Sequence, residues 1–124
     1  MTKCITFNIE PTPKGRPRLG KYGTYTPAKT KAAEEAIQWA WHGKPMEGPL
    51  KVSLRFYFKR PKKCLKCYKD TRPDIDNLVK LVCDALNGLA WKDDGQIVIL
   101  EAYKLYCQHP DKPCIQLEIK EVDG

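Results

Sequence analysis

The sequence predicts an α+β domain, with two helices packed on a mixed sheet in the order β-α-β-α-β-β. Three observations carry this. Residues 50–58 and 114–122 alternate apolar and polar side chains with a period of two, as half-buried strands do. Residues 27–42 and 76–87 instead repeat their apolar positions at helical spacing. These segments interleave along a chain of 124 residues, which suits one domain over residues 1–124. That length can bury a core without help from disulfides.

The elements follow in order. In residues 4–10, Ile5, Phe7 and Ile9 share one face of a strand. Residues 11–25 hold three prolines and three glycines and read as an irregular basic loop. The first helix is expected from Pro27 to His42, with Thr26 as its cap and Gly43 at its end. Ala33, Ala36, Ile37, Ala40 and Trp41 form its apolar stripe. In the strand at 50–58, Val52, Leu54, Phe56 and Phe58 face one way. The second helix is expected from Asp76 to Asn87, stopped by Gly88, with Leu78, Val79, Leu81, Val82, Ala85 and Leu86 buried. The turn WKDDG leads into a strand at 96–106. The segment QHPDKP joins it to the last strand, where Ile115, Leu117 and Ile119 point inward.

Lys and Arg total 22 against 15 Asp and Glu, a net charge of +7. The excess favours a polyanionic partner. Its basic residues cluster in loops and not on an amphipathic helix, which favours nucleic acid over a membrane surface. No apolar run is long enough for a transmembrane helix, and the N-terminus lacks the apolar stretch of a signal peptide. A cytoplasmic protein with reduced cysteines is expected.

Against this basic background, acidic residues gather between Asp70 and Asp94. Asp74 and Asp76 straddle the start of the second helix, and an extended segment beside Pro73 lets alternate side chains converge. Asp76 also reads as an N-cap. Asp76, Lys80 and Asp84 share one stripe of the helix, four residues apart. The strand after WKDDG can bring Asp93 or Asp94 back beside the helix start. Phosphodiester hydrolysis needs a cation to neutralise developing charge and activate water. Mg²⁺ suits such a carboxylate set because it prefers hard oxygen ligands and keeps several waters; Mn²⁺ is a chemical substitute. Lys80 can contact the scissile phosphate. The same residues also admit a plain reading: an N-cap, a turn, and a surface ion-pair stripe of small value.

RPDIDNLVKLVCDALNG followed by WKDDGQI resembles the signature of the RusA family of Holliday junction resolvases, endodeoxyribonucleases often encoded by phages. The likeness rests on D-x-D-N-x-x-K, an Asp-Ala-Leu at the helix end, and D-D-x-Q entering a strand. The loop KGRPR and the TYTP before the first helix are similar as well. The resemblance implies a homodimeric, Mg²⁺-dependent hydrolase acting on four-way junctions in recombination and repair. It places the catalytic carboxylates on Asp74, Asp76 and Asp94 and the essential lysine on Lys80. Asp93 and Asp84 become supporting residues, with Asp93 a further candidate metal ligand.

Two basic stretches suit DNA phosphates: Lys14, Arg16 and Arg18 in the first loop, and Arg60, Lys62, Lys63, Lys66, Lys69 and Arg72 before the acidic segment. Cys64 and Cys67 supply half of a zinc pattern, which Cys107, His109 and Cys114, or a second copy of the pair, would have to complete. Their spacing does not establish such a site. Three functions remain to compare. A junction-cutting endonuclease leads. A non-catalytic, structure-selective DNA-binding module would use the basic loops alone, and a metal-dependent nucleotide phosphohydrolase would not need them.

Overall fold

A computed structural model describes residues 1–15, 18–20, 23–25, 28–108 and 111–122. Four strands form one mixed sheet, and two helices cover one of its faces. We number the strands β1 (Thr2–Phe7), β2 (Arg18–Gly20), β3 (Gly23–Tyr25), β4 (Leu50–Phe58), β5 (Ile97–Tyr106) and β6 (Cys114–Glu121). The helices are α1 (Ala28–Ala40) and α2 (Ile75–Leu86).

The sheet order is β1-β6-β4-β5. β6 pairs antiparallel with both β1 and β4, while β5 runs parallel to β4 from Leu50↔Ile97 to Phe58↔Tyr106. Parallel neighbours need a crossover, and α2 supplies it. The alternation read in the sequence decides the faces. Val52, Leu54 and Phe56 are fully buried, and their partners Ile119, Leu117 and Ile115 lie against them in register. Ile37 from α1 and Leu78, Leu81, Val82 and Leu86 from α2 close the core from the helix side. Trp91 is fully buried just beyond α2.

The elements depart from the sequence expectation in several places: β1 covers Thr2–Phe7 instead of 4–10, and α1 ends at Ala40, two residues short of His42. The loop at 11–25 contains a short antiparallel hairpin, β2 with β3, in register Arg18↔Tyr25 and Gly20↔Gly23. The second helix starts one residue early, at Ile75, so its N-cap is Asp74 and not Asp76. Asp74 has extended backbone, φ −69° and ψ 140°, and its side chain makes no capping hydrogen bond. The helix ends as expected: Gly88 at φ +85° takes the left-handed conformation that an L side chain resists.

Candidate active site

The two carboxylates at the α2 entry share one opening. Asp74 and Asp76 line a cavity of ≈ 500 Å³ together with Tyr68, Lys69, Tyr103 and Lys104. Both aspartates are solvent-exposed. Asp76 Oδ1 accepts the Asn77 backbone N–H at 2.9 Å. Lys104 holds the approach to this pair, because its Nζ donates to the carbonyls of Thr71 (2.5 Å) and Pro73 (2.7 Å). The sequence reasoning missed Lys104. The alternation along β5 was its signal, since Lys104 shares the helix-facing side with Leu100 and Ala102 in a strand otherwise read as apolar there.

Asp94 is held elsewhere. A βαβ crossover returns the chain to the beginning of the parallel strand, so Asp94 stands just before Ile97, opposite Leu50. The opening lies further along β5, at residues 102–104. Among the described residues, no group of three or more His, Cys, Asp or Glu side chains is placed to hold a metal. Within one chain, therefore, Asp94 does not return beside the helix start. Its Oδ1 accepts the Trp91 Nε1–H at 2.6 Å. It lies near Cys83, whose thiol burial pushes up to about 12, with the charges of Asp94 and Asp84 adding to the shift.

Asp93 is occupied by its own turn. It caps the short 3₁₀ turn Asp94–Gln96, accepting the Gly95 N–H at 2.8 Å, while Gln96 Oε1 accepts the Asp93 N–H at 3.2 Å. A Cβ on Gly95 would come within 2.8 Å of that carboxylate oxygen. Gln96 then fixes the strand entry by donating to the carbonyls of Met46 and Gly48. These bonds account for the Asp-Asp-x-Gln spacing as a structural device.

The basic residues divide into two kinds. Lys62, Lys63 and Arg72 are exposed. Lys66 pairs with Asp70 at 3.5 Å on the surface, and Lys69 donates to Thr71 Oγ1 at 2.9 Å beside the opening. Arg60 instead faces inward: its guanidinium donates to the carbonyls of Cys107 (3.1 Å), Cys64 (2.9 Å) and Lys66 (2.8 Å), and so ties the basic loop to the end of β5. Lys14 is engaged by Glu34 and Asp84, and Lys80 approaches Asp84 at 3.7 Å. Arg16 and His109 lie outside the described residues, and Arg18 contributes its backbone to β2. Cys64 and Cys67 are free thiols, the first half-buried and the second exposed.

A basic surface leading into paired carboxylates is the combination that cutting a phosphodiester chain requires. The sequence matches the family described as Endodeoxyribonuclease RusA over residues 8–120. It is 34% identical over 143 residues to the uncharacterized protein YqaN of Bacillus subtilis (strain 168), covering 98% of this chain and 99% of that protein. It is also 42% identical over 76 residues to the crossover junction endodeoxyribonuclease rusA of Lactococcus phage r1t, covering 60% of this chain and 56% of the phage protein. The chain is thus an enzyme of the endodeoxyribonuclease class. The chain belongs to the RusA family.

Proposed function

We propose that the protein resolves four-way DNA junctions by Mg²⁺-dependent phosphodiester hydrolysis and works as a homodimer. The observation that carries this reading is the acidic opening formed by Asp74 and Asp76 at the end of an exposed basic loop. The donor set fits the ion. Two exposed carboxylates on an open cavity offer hard oxygens and leave room for waters and a phosphate, which is how Mg²⁺ is bound in many phosphoryl-transfer sites. Once bound, the ion supplies charge neutralisation and a more acidic water. The chain's own residues do the rest. Asp74 and Asp76 hold the opening anionic, Lys80 faces the phosphate, and Lys62, Lys63, Lys69 and Arg72 draw the backbone in.

The homodimer is supported by β5. This strand is a sheet edge, and Val98, Ile99 and Leu100 on it are 57%, 41% and 50% exposed. The 67–69 segment covers the edge only near its end, through Lys69 N–H to Lys104 O and Tyr106 N–H to Cys67 O. A long apolar edge of this kind invites strand pairing. Two copies paired antiparallel through Ile99 set residue 94 of one opposite residue 104 of the other, since 94 and 104 are equally far from 99. The second copy's Asp94 then approaches the first copy's Asp74 and Asp76. The carboxylate set is completed between subunits, and an enzyme with two-fold symmetry meets a substrate with approximate two-fold symmetry.

The test is cleavage of a synthetic four-way junction beside a linear duplex of the same sequence, with Mg²⁺ or with EDTA. Selective Mg²⁺-dependent cutting of the junction is expected, and Asp74→Asn should bind the junction without cutting it. Equal cutting of the linear duplex would remove the junction assignment. Undiminished cutting in EDTA would remove the metal.

A further inference from the structure

Lys14 lies in the first basic stretch, but its side chain is only 21% exposed. Its Nζ stands 2.9 Å from Glu34 Oε1 on α1 and 3.4 Å from Asp84 Oδ2 on α2. Its backbone N–H donates to the Asn77 carbonyl at 2.9 Å, and the next N–H, of Gly15, donates to the buried Thr30 Oγ1 at 3.0 Å. The segment is thus stitched to both helices, and the ammonium has a fixed seat between them. Partial burial works against its charge, but Glu34 and then Asp84 more than offset this and raise its pKa above the ordinary lysine value.

Lys80 is 61% exposed and stands 3.7 Å from the same Asp84 Oδ2. Two ammonium groups therefore compete for one carboxylate oxygen. Lys14 has the closer approach and the drier setting, so it is the stronger partner. Lys80 also sits one helical turn from each of two aspartates, Asp76 before it and Asp84 after it. Whichever aspartate carries more uncompensated charge draws the Lys80 side chain along the helix.

We propose that Lys14 is a positioning residue: it neutralises Asp84 and so leaves the Lys80 ammonium free to turn toward Asp76 and the DNA phosphate. This rests on the reading of Lys80 as the phosphate-facing lysine. Lys14 acts through Lys80 and makes no contact with DNA itself. Without it, the loose, exposed Lys80–Asp84 pair at 3.7 Å tightens, and Asp84 holds Lys80 away from the opening.

The test is single-turnover cleavage of a four-way junction by the full chain carrying Lys14→Met, alone and combined with Asp84→Asn. Lys14→Met should slow cutting about tenfold, a fraction of what losing a whole charge-stabilising group costs. Junction affinity should stay within about twofold, with an unchanged salt slope, since no phosphate contact is lost. Adding Asp84→Asn should restore the rate to within about threefold of the parent, because capture needs the carboxylate charge. Lysine side-chain NMR should show stronger contacts from the Lys80 ε-protons to the Asp84 β-protons in Lys14→Met, a readout that simple loosening of the loop does not produce. If Lys14→Met fails to fold, Lys14→Gln, which keeps a donor for Glu34, carries the same comparison. A weaker Kd with a slope lower by about 1 would make Lys14 a phosphate contact and overturn the proposal. Failure of Asp84→Asn to restore the rate would overturn it too. Lys80→Ala separates the two readings. If that variant still cuts at the parent rate, the role given to Lys80 falls. If it is inactive while Lys14→Met cuts normally, only the positioning role falls.

Discussion

The indole Nε1–H of Trp91 donates to the Asp94 carboxylate at 2.6 Å, and the ring itself is fully buried. The orientation of this acidic side chain is thereby set by the hydrophobic core. Asp94→Asn keeps an acceptor for the indole but loses the charge. It should abolish junction cutting, by about a hundredfold or more, while the melting temperature moves by only a few degrees. Trp91→Phe deletes the donor and some core volume. It should cost about 1–3 kcal/mol of stability and lower the cutting rate as well. Thermal denaturation beside a junction-cleavage assay checks both. A Trp91→Phe enzyme that cuts at full rate would sever the link between core and carboxylate.

Cys83 provides a chemical reporter for the same region. Its thiol is pushed up to about 12, first by burial and then by the charges of Asp94 and Asp84. The thiolate is the reactive form, so at pH 8 Cys83 should resist alkylation. Exposed Cys4 and Cys67 should be modified first. Timed iodoacetamide labelling read by peptide mass spectrometry gives the order, and early labelling of Cys83 would contradict the burial.

Arg60 and the Lys62–Lys63 pair look equivalent in the sequence but should behave in opposite ways. Lys62 and Lys63 are exposed, and their double alanine variant should flatten the salt dependence of junction binding by about 2 in slope with little change in stability. Arg60 spends its guanidinium on three backbone carbonyls. Arg60→Met should lower stability by about 2 kcal/mol, because these carbonyls lose a charged donor. A slope change for Arg60→Met without loss of stability would reverse that assignment.

That contrast marks how far the sequence could be read. β4 was legible to the residue, at 50–58, because one buried face forces strict alternation. α2 was legible to within one residue, because its apolar stripe is unbroken from Leu78 to Leu86. Either aspartate of Asp74-Ile-Asp76 satisfies the pattern of a cap, so the helix start was not decidable from residue type. The β2–β3 hairpin escaped notice because each strand is only three residues long and buries no stripe to impose a period. The pairing of Asp74 with Asp76 is local and could be foreseen. The place of Asp94 depends on a crossover that returns to the start of a parallel strand, and no local pattern encodes that. The partners of the Arg60 and Lys14 side chains could not be foreseen, because a charge in a loop carries no sign of what it faces.

The separation of Asp94 from Asp74 and Asp76 along one chain leads to the most decisive experiment. If β5 pairs with β5 of a second copy, each site takes Asp74 and Asp76 from one subunit and Asp94 from the other. Ile99→Lys places a charge at the centre of that seam and should give a monomer by analytical ultracentrifugation, folded by circular dichroism but inactive. Mixing two dead variants is stricter. In a dimer of Asp74→Asn with Asp94→Asn, shared sites concentrate both lesions in one site and leave the other intact. Unfolding and refolding the mixture should therefore recover junction nicking on one strand of the pair, with no paired cutting. If each site is instead built within one chain, both sites in the mixed dimer carry a lesion and no nicking returns.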